Sequence, residues 1–232
     1  MDVSDDDLDR FPHPHLAVDI ALLTLRARAL HALLLPRART PFAGTLTLPG
    51  GFVRLDETLD QAAARVLQQK CHLRSVFVEQ LFTFGDLRRD PRARVVSVAY
   101  YALVPDSRLA ASEPISGARV LPLHVDWQGT AGGPATIGGA QGHPRLGFDH
   151  ADILGRTVQR LRGKIDYAPV GFELLEVHQA VLGEKLNKDS FRRRMLASGQ
   201  LVATGRKRSD GAYRPAELFR FRRQDEPRRR RS

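Results

Sequence analysis

The sequence predicts an α/β sandwich followed by a small basic domain of two helices and a hairpin. Three observations carry this prediction. In the first two thirds of the chain, short apolar runs bounded by turns accompany one amphipathic helix. A stretch in which six of 14 residues are glycine, 129–142, then interrupts the pattern. Charge is also divided: residues 1–150 hold 16 Lys/Arg against 16 Asp/Glu, and residues 151–232 hold 20 against 10. The whole net charge of +10 therefore sits in the last third. That asymmetry points to a polyanion-binding module joined to a neutral body. The competing reading is a merely solvated basic surface, helped by the tail Arg228–Arg231. Without that tail the last third still carries +6.

The elements follow in order. Residues 1–15 are acidic, lack an apolar core and are expected to be a flexible start rather than a signal peptide. Residues 18–25 and 30–36 read as buried strands, with a turn at 26–29. Residues 46–49 lead into a turn at Gly50 and Gly51. Residues 57–70 read as a helix, because Leu59, Ala62, Ala63, Val66 and Leu67 recur at helical spacing. Residues 75–84 and 95–104 read as strands. The glycine-rich segment is expected to be a mobile loop without a regular element. Residues 149–164 read as a helix weakened by Gly155. Residues 172–182 and 190–198 read as two further helices, the second capped by Asn187 or Asp189. Short strands at 201–204 and 217–221 flank a basic tip containing the turn signal Asp210-Gly211. The expected domains are 16–164 and 165–224, with an Arg-rich tail at 225–232.

Composition removes several classes. The one cysteine, Cys71, allows no intrachain disulfide and no cysteine-based zinc site, and suits a reducing compartment. No run of about 18 apolar residues is present, so no membrane span is expected. A cytoplasmic, nucleoid-associated protein is the expectation.

Two constellations carry chemistry. In the first, Gly51 is followed by Glu57 and Arg65, and a Leu48-Pro49-Gly50-Gly51-Phe52-Val53 loop leads into the helix. This spacing resembles the Nudix box, G-x5-E-x7-R-E-U-x-E-E-x-G-U with U aliphatic, and Leu67 and Leu73 also match. The resemblance implies a Nudix-type α/β sandwich. It departs from the pattern at the metal-binding glutamates, which fall at Val66, Gln69 and Lys70, and at the late glycine, which falls at His72. Divalent cations need oxygen ligands. Val66 supplies none, Gln69 a neutral amide and Lys70 a positive charge. The chain is therefore expected to lack both the metal site and hydrolase activity.

Residues 81–103 contain Thr83-Phe84-Gly85, Arg89-Asp90-Pro91-Arg92 and Ser97-Val98-Ala99-Tyr100-Tyr101. With Gly147-Phe148-Asp149-His150, they resemble the Nudix-related transcriptional regulators of NAD metabolism. That resemblance implies an ADP-ribose-like effector held by Gly50, Gly51, Glu57, Arg89 and Arg92, with no cofactor required. A guanidinium fork suits a diphosphate. Arg89-Asp90 equally suits a surface turn with local charge pairing. Phe82 and Phe84 could flank an adenine or belong to the core.

In the second constellation Arg192, Arg193 and Arg194 fan over one side of a helix, and Phe191, Met195 and Leu196 form the opposite, buried side. The hairpin tip adds Arg206, Lys207 and Arg208. A basic helix followed by a basic hairpin reads as a DNA-reading helix and wing. Phe191-Arg-Arg-Arg-Met, Gly199 and Arg214-Pro215-Ala216 resemble the winged helix-turn-helix domain of the same regulators. The candidate DNA contacts are Lys188, Ser190, Arg192, Arg193, Arg194, Arg206, Lys207, Arg208 and Arg214. One departure is that Phe172-Glu-Leu-Leu runs into the helix at 176–183 several residues early, which implies a missing first turn. The expected function is a homodimeric, ligand-responsive repressor binding a double-stranded operator. The competing readings are an ADP-ribose pyrophosphatase with a basic appendage, and an RNA-binding module, for which the basic region has few aromatics.

Overall fold

The computed structural model describes residues 12–128, 131–138, 142–164, 174–197, 199, 201–208 and 216–221. The chain divides into two compact units, Met1–Arg160 and Leu161–Ser232. That division falls a few residues before the expected boundary after residue 164.

Among the described residues, the first unit is built on a mixed sheet of eight strands. Its order is β5 (Glu79–Phe84), β6 (Val95–Leu103), β1 (His15–Arg26), β2 (Ala29–Pro36), β7 (Arg119–Gln128) and β8 (Ala131–Ile137). Two short strands pair off this path: β3 (Leu46–Thr47) on β2, and β4 (Gly50–Phe52) on β1. Strand β1 runs parallel to β6, with Ile20 beside Tyr100, and antiparallel to β2 and β4. It is buried on both faces, which is why its sequence is a nearly continuous apolar run. Val18, Ile20 and Leu22 pack with helix α1 (Leu59–Cys71) and Leu109 of helix α2 (Asp106–Ser116). Helix α3 (His150–Lys164) lies against the other face, where His150 meets Asp19 and the Arg160 guanidinium donates to the Leu81 carbonyl.

Helix α1 starts at Leu59 rather than residue 57 because Thr58 caps it. The Thr58 hydroxyl accepts from the Gln61 amide at 3.2 Å, and the Gln61 side chain accepts from the Thr58 amide at 2.7 Å. The helix ends on His72 in the left-handed region, φ 55°, the position at which the Nudix pattern places its late glycine.

Several expectations change. Gly50 and Gly51 are not a turn but part of β4, opposite Asp19 and Val18. A Cβ on Gly50 would lie 2.0 Å from the Asp19 carboxylate, so close approach, not turn geometry, requires glycine there. The strand expected at 75–84 begins only at Glu79. The glycine-rich segment holds β8, which pairs with β7. Its glycines allow close packing: a Cβ on Gly132 would sit 2.6 Å from the Trp127 ring. Gly155 of α3 meets the Gly133 carbonyl in the same way, with 2.3 Å left for a Cβ.

The second unit holds α4 (Leu174–Leu182), α5 (Lys188–Ala197) and the antiparallel pair β9 (Leu201–Arg208) and β10 (Ala216–Phe221). Val177, His178, Val181, Phe191 and Met195 are buried. The His178 and Phe191 rings meet edge to face at 4.8 Å. Asn187 is the cap: its side chain accepts from the Ser190 amide at 2.9 Å, so α5 starts at Lys188. Helix α4 is described from Leu174, and Phe172 lies outside the described residues.

Candidate ligand cavity and nucleic-acid interface

A cavity of about 490 Å³ opens where β4, the 37–40 loop, the 89–92 loop and the start of α3 converge. Gly50, Gly51, Arg89 and Arg92 all line it, as do Asp19, Arg37, Arg39, Lys70, Phe148 and His150. Its cationic side chains outnumber its carboxylates, Asp19 and Asp90.

The base of the cavity is a polar network in an otherwise apolar layer. Arg89 is 7% exposed. Its Nε and Nη2 donate to the two Asp149 oxygens at 2.8 and 2.7 Å, and Nη2 also donates to Asp19 at 3.0 Å. The Ser97 hydroxyl donates to the same Asp19 oxygen at 2.6 Å. The Leu48 amide donates to His150 Nδ1 at 2.9 Å, which puts the imidazole proton on Nε2, facing Asp19 at 3.5 Å. Burial pushes the Asp19 carboxyl up, but His150, Ser97 and Arg89 outweigh it and hold it well below the usual carboxylate range. Arg89 thus stands in the cavity wall fastened to two carboxylates.

Arg92 is more exposed. It donates to both Asp90 oxygens, at 2.9 and 2.7 Å. The surface turn that the sequence offered for Arg89-Asp90 is not what forms: both residues are buried, and Arg89 pairs with distant carboxylates. Phe148 projects beside Arg92 in the left-handed region, φ 57°, a costly conformation for an aromatic residue. The Arg37 guanidinium lies over the Phe148 ring at 4.8 Å, and Arg92 lies 5.9 Å from the same ring. Aromatic face and guanidiniums together form a wall suited to a base or sugar beside a phosphate.

Glu57 does not line the cavity. Arg65 grips its carboxylate, with Nε donating at 2.8 Å, and the Arg54 amide donates to it at 2.9 Å. Arg65 also donates to the Phe52 carbonyl at 3.0 Å. The Arg65 hydrogen bond is the main reason the Glu57 carboxyl is held down to about 2. The pair clamps the loop to the helix, so both residues serve the backbone path.

At the glutamate positions of the Nudix pattern, Val66 is 1% exposed and Gln69 faces solvent. Lys70 donates from Nζ to the Gly50 carbonyl. Desolvation beside the loop lowers the Lys70 pKa, and the Asp19 charge works against that shift. These residues do not fit a divalent cation: the positions that should offer carboxylates present a buried methyl group, an amide and an ammonium. Phe82 and Phe84 take neither anticipated role. They meet each other at 5.7 Å, Phe82 is half exposed under Arg156, and neither lines the cavity. Asp19, Arg37, Arg39, Lys70, Phe148 and His150 were not among the sequence candidates. An aspartate inside the buried run of β1 was the one readable signal, since such a group needs partners.

On α5, Ser190, Arg192, Arg193 and Arg194 are exposed, opposite buried Phe191 and Met195. Leu196 is 39% exposed and not part of the packed side. Five residues from Phe191 is 140° around a helix, off the buried stripe. Lys188 is the first residue of the helix. Arg206, Lys207 and Arg208 do not form the hairpin tip. They lie within β9, where Arg208 pairs with Ala216 and Lys207 with Glu217. Arg214 lies outside the described residues.

Comparison with known proteins agrees with this layout. Residues 13–128 match the NUDIX domain and residues 172–221 match the NrtR DNA-binding winged helix domain. The chain is 34% identical over 227 residues to the ADPR responsive transcriptional repressor NtrR of Acinetobacter baylyi, covering 93% of this chain and 85% of that protein. It is 31% identical to Shewanella oneidensis NrtR, whose crystal structure is complexed with a 27mer DNA. That match has a TM-score of 0.69 and covers 89% of this chain and 93% of the other. An ADP-ribose pyrophosphatase of Methanocaldococcus jannaschii is 28% identical over 142 residues, 61% of this chain and 72% of that protein. A Nudix domain, an NrtR-type winged helix and near-full-length similarity to a repressor together place this chain in the NrtR family of Nudix-related transcriptional regulators.

Proposed function

We propose that this protein is a repressor of NAD-metabolism genes whose first unit senses ADP-ribose or a related nucleotide and whose second unit binds operator DNA as part of a homodimer. Helix α5 carries the DNA half of this reading, because its three arginines are exposed opposite a buried side. The cationic, Phe148-walled cavity supports the effector half, as does the name of the Acinetobacter relative. Gly50, Gly51 and Arg92 stay as proposed ligand contacts, joined by Arg37 and Arg39. Glu57 and Arg89 act as scaffold. Two-fold symmetry would match a palindromic operator.

Selecting bound duplex fragments with and without ADP-ribose tests the reading. A shared palindromic sequence should emerge, and ADP-ribose should change its occupancy. Random fragments in both pools would sink it.

A second reading, hydrolysis of ADP-ribose, is favoured by the pyrophosphatase relative. Val66, Gln69 and Lys70 argue against it, since they leave no carboxylate cluster for a metal. No turnover above background is expected with magnesium or manganese. Turnover matching an active pyrophosphatase would restore the enzyme reading.

A further inference from the structure

We propose that the Lys70 ammonium stands in for a divalent cation in this cavity, so that a nucleotide diphosphate binds there without metal. The inference rests on the cavity being a nucleotide site and names the group that neutralises the phosphates.

The placement comes first. Lys70 occupies the last glutamate position of the Nudix pattern, in the final turn of α1. From there its side chain reaches the cavity and donates to the Gly50 carbonyl. A backbone carbonyl aimed at a phosphate cavity is the kind of hard oxygen that would otherwise ligate a metal. Here it ligates an ammonium, a compact point charge with three donors, of which the carbonyl takes one. Gly50 carries no side chain to block approach from the cavity, and a Cβ there would already collide with Asp19.

Charge balance points the same way. Arg89 is matched by Asp149 and Asp19, and Arg92 by Asp90. Among the described residues Lys70, Arg37 and Arg39 form no ion pair. Arg37 instead donates to the Thr40 and Pro41 carbonyls. These three cations lie in no ion pair, although Lys70 feels the Asp19 charge and Arg37 that of Asp90, and a diphosphate carries the complement of such a cluster. A metal at the Gly50 carbonyl would have to sit against the Lys70 ammonium. The carboxylates that could offset that repulsion are committed: Glu57 to Arg65, and Asp19 to Ser97 and Arg89.

Calorimetry on the full-length protein tests this with ADP-ribose, in EDTA and in magnesium. The native protein should bind equally in both buffers. Lys70→Met should weaken binding about tenfold or more, the loss of one charge-assisted hydrogen bond, with an unchanged melting temperature because the side chain is not in the core. Lys70→Arg should retain most of the affinity. Adenosine, which has no phosphates, should bind native protein and Lys70→Met alike. Lys70→Glu should bind poorly in EDTA and in magnesium alike, because one carboxylate beside Val66 and Gln69 makes no metal site. A magnesium requirement in the native protein overturns the proposal, as does undiminished ADP-ribose binding by Lys70→Met. Native protein that binds ADP-ribose in neither buffer overturns the nucleotide-site reading itself, and this inference with it.

Discussion

The loop at 89–92 and helix α5 use arginine in opposite ways. In the loop Arg89 and Arg92 are fastened to carboxylates, and Arg89 is sunk beneath the surface. On α5 the guanidiniums stand exposed on a helix whose other side is buried. A buried, pinned cation such as Arg89 is little screened by salt and is part of what holds the fold. An exposed one is screened by salt and contributes little to stability.

The sharpest way to break this contrast is Arg89→Ala. It leaves Asp149 and Asp19 in the cavity wall without their partner, which should cost about 3–5 kcal/mol of the first unit's stability by urea unfolding. Arg193→Ala should leave the urea midpoint almost unchanged, while affinity for a selected operator falls by about 1–3 kcal/mol. Arg193→Ala destabilisation rivalling that of Arg89→Ala would erase the distinction.

Acid provides a second probe. Asp19 has a depressed pKa in the folded state, so its contribution is complete above the unfolded aspartate value of about 3.9. It is lost as pH falls through that value toward the folded one. The first unit should therefore weaken below about pH 4, and Asp19→Asn should flatten that part of the pH–stability curve. The exposed arginines of α5 do not titrate there, so Arg193→Ala should keep the native slope. The smallest effect is expected at β9. Lys207→Ala should weaken binding to all duplexes alike and flatten the log–log salt slope by about one.

Sequence patterns made some elements legible and hid others for identifiable reasons. Strands β1, β2 and β6 announced themselves because they are buried on both faces and so cannot alternate. Helices α1 and α3 showed through their apolar spacing. Helix α2, DSRLAASEPIS, has only a weak apolar stripe and carries Pro114, and β7 carries Pro122. Strand β8 is built from residues that normally end strands, and it persists because its glycines let Trp127 and α3 come close.

The site divided in the same way. Gly50, Gly51, Arg89 and Arg92 were legible through motif spacing, and all four line the cavity. Spacing could not reveal that Arg89 is occupied by Asp149, 60 residues away, or that Arg37 and Lys70 line the cavity. Those facts depend on which strands are neighbours. Glu57 matched its motif, yet it braces the loop from outside the cavity.

Val66 packs so tightly beneath Gly51 that a Cβ on the glycine would lie 3.1 Å from its methyl group. That contact limits what the position can hold. Glutamate at this position would bury a carboxylate beneath the Gly51 strand, at a cost of several kcal/mol unless a counter-charge came with it. The chain would lose much of its stability before any metal could reward the change. Packing at this one valine therefore makes a metal-binding version of the site costly to install one residue at a time.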